Sequence, residues 1–332
     1  MINHAAKAHH GRGGGQQPQG PLNDIAAQII AIEALTIALQ NAVGAIANDL
    51  AALQSQTPTP TPTPTPAPSG SGIVWPSFQG TDTLMGASLS GNVKVYMDAS
   101  AANDPDAVAN AKSLINDADR VMSLAAMIFG TAPGPVNVLL FALGGMTDGT
   151  GGADHMGCDF STGQNIEVDF SYQSPGRVSS LFMAELSECC MNGQLCGLST
   201  GEALSRWCAM VTDNNALADF VTVPTWIGDG MANWVDQTEP TDGDADSIGC
   251  GMAMISYLLH RGCTLSQIAI AMVTMGDNGT FAQLYSVLMG PTNPSNTAWP
   301  TLAAAIKALP TPPTTDDPFG QMASALRPHK HV

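Results

Sequence analysis

"FMAELSECCMNG", Phe182–Gly193, is the stretch on which the reading of this chain turns. It closes a helix pattern that begins at "SPGRV", with Ser174 as N-cap, Pro175 at the first helical position and Gly193 as the stop. Glu185 and Glu188 are three apart, so they share one face of that helix. Both lie in its middle, away from the free backbone donors of the first turn. Leu181, Phe182 and Leu186 surround them, so the helix is expected to be buried on most sides. A carboxylate there must find a donor or be neutralised. Arg177, Arg206 and Arg261 are the cations at hand. Cys189 and Cys190 are neighbours and point about 100° apart, a poor arrangement for sharing one tetrahedral metal.

Strands precede this helix. "NVKVYMD" (92–98) alternates, "VNVLLFAL" (136–143) is an apolar run of buried-strand type, and "NIEVDF" (165–170) is a third strand. Between the first two, "DPDAVANAKSLINDADRVMSLAAMIFG" (104–130) has helix periodicity, with acidic residues at its start and Gly130 at its end. "GGMTDGTGGADHMGCDFSTG" reads as a glycine-rich turn region around a short strand. After Gly193 the signals are mostly helical. Strands with helices first and helices later predict an α+β layout for residues 73–309. Trp207, Trp226 and Trp234 are expected to pack the helical half, and the methionines to fill its core. A proline-rich, loose tail is expected over 310–332.

Three segments lead into that head. Residues 1–21 read as a flexible polar arm. Residues 22–56 carry a proline-free heptad. Leu22, Ile29, Thr36, Val43 and Leu50 recur every seven residues, and Ile25, Ile32, Leu39, Ile46 and Leu53 follow three positions later. Isoleucine at both seam positions favours a trimer, so a homo-oligomer through this coiled coil is expected. A membrane span is the rival reading. Glu33, Gln40, Asn41 and Gly44 inside it, and no basic cluster beside it, favour the coiled coil. Residues 57–72, "TPTPTPTPTPAPSGSG", are a linker; alternating Thr-Pro held near polyproline II makes a semi-rigid spacer on the order of 40 Å long.

Composition narrows the function classes. The net charge is −17, almost all of it beyond residue 70. Such acidity argues against nucleic acid and anionic membranes as partners. The start shows no apolar core or cleavage site, so no secretory leader is expected. Seven cysteines, an odd number, leave bridges and small buried hydrophobes both open.

The helix resembles the active-site helix of zincin-like metallopeptidases, which carry HExxH there. In that motif two histidines hold zinc from one face and the glutamate is the general base. The aligned residues here are Ala184, Glu185, Leu186, Ser187 and Glu188. Glu185 keeps the general-base position, while Ala184 and Glu188 stand where the ligands would be. "GGADHMGCD" looks like the edge strand that lines the cleft of these folds, which makes His155 a cleft residue. "GEALSR" (201–206) looks like the gluzincin segment that carries a third, glutamate ligand, at Glu202; "PTWIGDGMANWV" (224–235) offers Asp229 for the same place. Both positions stay open. In order, these motifs also resemble a group of uncharacterised bacterial proteins with "AEL-x-E" on this helix, over roughly residues 85–300. The stem and linker lie outside the resemblance.

The globular part holds only His155 and His260, with no His-x3-His pair, so a standard zinc peptidase is not expected. No cofactor is expected. An oxygen-only set of Glu185, Glu188, Glu202 and Asp229 would suit calcium or magnesium rather than zinc. The same glutamates could form an acid pair for glycoside hydrolysis. No Gly-x-Ser-x-Gly elbow is present. A trimeric stem, a stiff spacer and a degenerate peptidase-type head fit a non-catalytic structural or binding protein. Such a chain would be displayed on a larger assembly, a virion or cell surface, through its N-terminal arm. The alternative is a hydrolase or metal-binding enzyme working through Glu185 and Glu188.

Overall fold

A computed structural model describes residues 70–142, 152–170, 175–290 and 292–327. The expected arm, coiled coil and Thr-Pro run, with the seam residues Ile25 to Leu53, lie outside them. Among the described residues no helix is long and apolar enough to cross a membrane.

The architecture is α+β. Strands β1 (Asp82–Ala87), β2 (Val93–Asp98), β3 (Val136–Phe141), β4 (Ala153–His155) and β5 (Asn165–Asp169) form one sheet in the order β1-β2-β3-β5-β4. The centre is parallel, β2 to β3 to β5, and both edges are antiparallel. Helix α1 (Pro105–Phe129) crosses between β2 and β3. Asp104 caps its start by accepting from the amides of Asp106 and Ala107, and Gly130 ends it at φ 73°, a left-handed position that glycine adopts without a Cβ penalty. Strand β1 escapes the sequence reading. "DTLMGA" alternates weakly, and its register slips between Leu84 and Gly86.

The period-two alternation gives the sheet two apolar faces. Val93, Val95, Met97, Val138, Leu140, Ile166 and Val168 join the main core with the helices. Tyr96 and Leu139 face the other way, onto Trp75 and the half-buried Ile73, Phe78 and Phe141. Residues 73–78 are strapped there by Glu167. Its buried carboxylate accepts from the amides of Ser77 and Phe78, at 3.0 and 2.7 Å, and from the Ser77 hydroxyl at 2.7 Å.

Helix α2 (Pro175–Cys190) packs on β5, β4 and α1. Helix α3 (Ser199–Thr212) lies against α2 on one side and α5 (Ala245–His260) on the other. Ser247–Leu259 of α5 is buried without interruption, so α5 is the centre of the helical half. Gly251 allows its close approach to α3: a Cβ there would meet the Cβ of Ala203 at 2.7 Å. Trp207 and Trp226 are fully buried in this half. Helices α4 (Val223–Gly228), α6 (Leu265–Met275), α7 (Phe281–Met289) and α8 (Ala298–Lys307) complete it, with Thr–Gln capping boxes starting α6 and α7.

Residues 310–327 differ from the loose tail expected of them. The Asp316 carboxylate is buried and accepts from the amides of Thr222 and Val223, at 2.8 and 2.7 Å, where α4 begins. Asp317 accepts from Ser256, and Ala325 joins the core. Two acidic side chains anchor a segment that its prolines had made look unattached.

Candidate functional site

The register of β4 on β5 decides where His155 points. His155 pairs with Ile166, and residues directly opposite each other in a sheet share a face. Ile166 belongs to the helix-side core, so the imidazole comes up against the middle of α2. There it meets the two glutamates. Nε2 of His155 lies 3.0 Å from Oε2 of Glu188 and 3.7 Å from Oε2 of Glu185. Nδ1 bonds the carbonyl oxygen of Gly157.

These groups line a cavity of about 420 Å³. Ala184, Glu185 and Glu188 come to it from α2, Asp154 and His155 from β4, Glu202 and Arg206 from α3, and Asp242 from the loop before α5. Asp229, the other candidate for the gluzincin position, is exposed at the end of α4 and does not line the cavity. Packing of α3 beside α2 therefore brings Glu202, and not Asp229, to the glutamate pair.

The partners of the glutamates differ from those expected. Arg177 pairs with Asp219, and Arg261 reaches the Tyr257 hydroxyl at 3.0 Å. Arg206 approaches Glu202 at 4.0 Å and donates to the carbonyl oxygens of Phe220 and Asp242. The cation facing Glu185 and Glu188 is the imidazolium of His155. Burial opposes its charge, but the Glu188 hydrogen bond and the two carboxylates win and push its pKa up to about 9. Burial, reinforced by the charge of Glu188, lifts the Glu185 carboxyl above the carboxylate range. Burial and Glu188 likewise lift Glu202, with Arg206 opposing. The cavity is thus an acidic pocket short of positive charge.

A disulfide closes one wall. Cys158, three residues beyond His155, joins Cys196 in the loop between α2 and α3, with Cα atoms 5.7 Å apart. The amide of Gly193 donates to the carbonyl of Cys158 at 2.7 Å, lacing the same two loops. Cys196 Sγ, a ring nitrogen of His155 and a carboxylate oxygen of Glu188 all lie within 4.8 Å of one another. The other cysteines among the described residues are free and buried, the role of small hydrophobes. No nucleophile pair emerges from Ser187 and His260: Ser187 donates to the Met183 carbonyl, and His260 stacks on Phe319.

Sequence reasoning singled out Glu185, Glu188, Glu202 and His155. It missed Asp154 and Cys158 as site residues, although both lie in the quoted edge-strand stretch, and it missed Asp242 and Cys196, which come from loops. The residues do not fit the zinc of an HExxH site. Ala184 offers a methyl group, and Glu188 a carboxylate, where that site needs two imidazoles.

No protein-family model matches the chain, and no curated protein matches it. Among solved structures it is similar to an M1 zinc metallopeptidase from Deinococcus radiodurans, at 11% identity and a TM-score of 0.38, over 67% of this chain and 50% of that one. The chain thus spans about half the length of that structure.

Proposed function

We propose that residues 73–309 are a zincin-like head of gluzincin type that binds a ligand without peptidase chemistry, and that residues 22–56 present it as a trimer. One observation carries the reading. Ala184 lines the cavity beside Glu185 and Glu188, so the helix face that would hold zinc presents a methyl group and carboxylates. What replaces the metal site is an acidic cleft with room for a small ligand. Such a cleft suits a cationic group: a hard divalent ion, or the ammonium or guanidinium of a displayed partner. The stem would add avidity to a weak single-site contact.

Titration calorimetry of the full chain with calcium, magnesium and manganese(II), and with an amine-bearing peptide, tests it beside a peptide-cleavage assay. Binding that is lost in Glu185→Gln with Glu188→Gln, and no cleavage, is the expected result. Turnover of a peptide that disappears in Glu185→Gln overturns it.

A second reading, a carboxylate-based hydrolase, has its own support. Glu185 is held protonated above the usual carboxylate range, as a general acid for glycoside cleavage is. Reducing-sugar release from oligosaccharides, abolished by Glu185→Gln, would favour it over the binding reading.

A further inference from the structure

The cleft contains one redox-active pair, and it sits beside the imidazole and carboxylate. While Cys196 is bonded to Cys158, its sulfur is no thiolate and cannot ligate a metal. Yet Sγ of Cys196, a ring nitrogen of His155 and an oxygen of Glu188 lie within 4.8 Å of one another, the spacing of atoms around a common ion. The His155 ring is oriented for that role. Its Nδ1 is engaged by the Gly157 carbonyl, which leaves Nε2 toward Glu188, and a ligating histidine is commonly fixed by such a carbonyl on its other nitrogen.

We propose that reduction of the Cys158–Cys196 disulfide turns this cleft into a site for a borderline-soft divalent cation, held by Cys196 Sγ, His155 Nε2 and a Glu188 carboxylate oxygen. The electrons come from a dithiol reductant. Its two sulfurs become a disulfide, the Cys158–Cys196 bond breaks, and each cysteine sulfur gains one proton. On metal binding, the Cys196 thiol and Nε2 of the His155 imidazolium each release a proton to solvent. A sulfur, a nitrogen and an oxygen suit zinc rather than calcium or magnesium, so the cleft changes its preferred cation with its redox state. Oε2 of Glu185 lies 3.7 Å from the same Nε2. The site shares no helix-borne histidine pair with the HExxH arrangement. The inference deepens the cation-receptor reading of the cleft and rests on it.

Two variants test it, because both lose the same bridge. Cys158→Ser leaves Cys196 permanently free, and Cys196→Ser removes the ligand. Full-length parent, oxidised or reduced with a dithiol that is then removed under argon, is compared with both variants after incubation with zinc and desalting. One equivalent of zinc is expected on the reduced parent and on Cys158→Ser, and less than a tenth of that on the oxidised parent and on Cys196→Ser. Cobalt(II) should give a thiolate-to-cobalt charge-transfer band in Cys158→Ser and none in Cys196→Ser. Loss of structure on breaking the bridge would act on both variants alike and cannot produce that contrast. Equal zinc in the two variants, or none in Cys158→Ser, overturns the proposal. If the oxidised parent nonetheless binds manganese(II) or calcium, the cation-receptor reading survives that failure. If no cation binds in either redox state, both fall.

Discussion

Nε2 of His155 stands 3.0 Å from Oε2 of Glu188, and this contact joins the edge strand β4 to the middle of α2 across 33 residues of sequence. Among the described residues it is where the acidic face of α2 meets a cation, so it contributes to the charge of the cleft and to its response to pH.

His155 should make stability fall with rising pH. Its pKa is raised from 6.5 to about 9 in the folded chain. A raised basic group contributes stability that is fully present below the unfolded value of 6.5 and lost as pH climbs through about 9. The loss across that window should be about 3 kcal/mol. Thermal melting of the parent from pH 6 to pH 10 should show this decline, and His155→Gln should flatten it. An unchanged slope in the variant would mean that another group carries it.

The two glutamates should respond oppositely to neutralisation. Burial raises the Glu185 pKa, so its charge costs stability, and that cost grows as pH rises from its ordinary 4.5 through the folded value. Glu185→Gln should therefore stabilise the chain by up to about 4 kcal/mol at pH 8. Glu188→Gln removes the charged acceptor facing His155 and should cost about 1–3 kcal/mol. Denaturant titrations at pH 8 separate the two, and a loss of equal size in both would refute the assignment.

Breaking the Cys158–Cys196 bridge should cost about 2–4 kcal/mol, because it releases a loop of 38 residues in the unfolded chain. Chemical denaturation of Cys196→Ser against the parent, both metal-free, measures it. A change below half a kilocalorie would show that the hydrogen bond between Gly193 and Cys158 already holds the two loops.

Glu167→Ala should free residues 73–78 from the sheet. The carboxylate is the shared acceptor for Ser77 and Phe78, and bonds to a charged acceptor are worth about 1.5–3 kcal/mol. Hydrogen exchange at Ser77 and Phe78 should rise far more than in α5. Protection that stays unchanged would place the anchor in Trp75 and Phe78 packing instead.

The stem should set the oligomer. Light scattering of the full chain should give a trimer and residues 73–332 a monomer, and Ile32→Asp in the full chain should dissociate it by placing a charge on the apolar seam. A monomeric full chain in aqueous buffer rejects the heptad reading.

What the sequence determined by itself is local. Caps mark α1 and periodicity marks both α1 and α2, because such signals lie within a few residues of each other; the expected N-cap of α2, Ser174, lies outside the described residues. The same locality puts Glu185 and Glu188 on one face, since a three-residue step is a property of the helix alone. β1 was not legible, because its alternation is weak and a bulge interrupts its register. Tertiary structure decided the rest of the cleft. The pairing of β4 with β5 turns His155 toward α2, and the packing of α3 on α2 selects Glu202 over Asp229. Asp316 is drawn to the start of α4 from a tail whose composition suggested no attachment. The bridge partner of Cys158 could not be read from spacing, since seven cysteines admit many pairings. Each of these depends on which distant segments become neighbours, and that is settled by burying apolar surface across the whole core rather than by any stretch of chain alone.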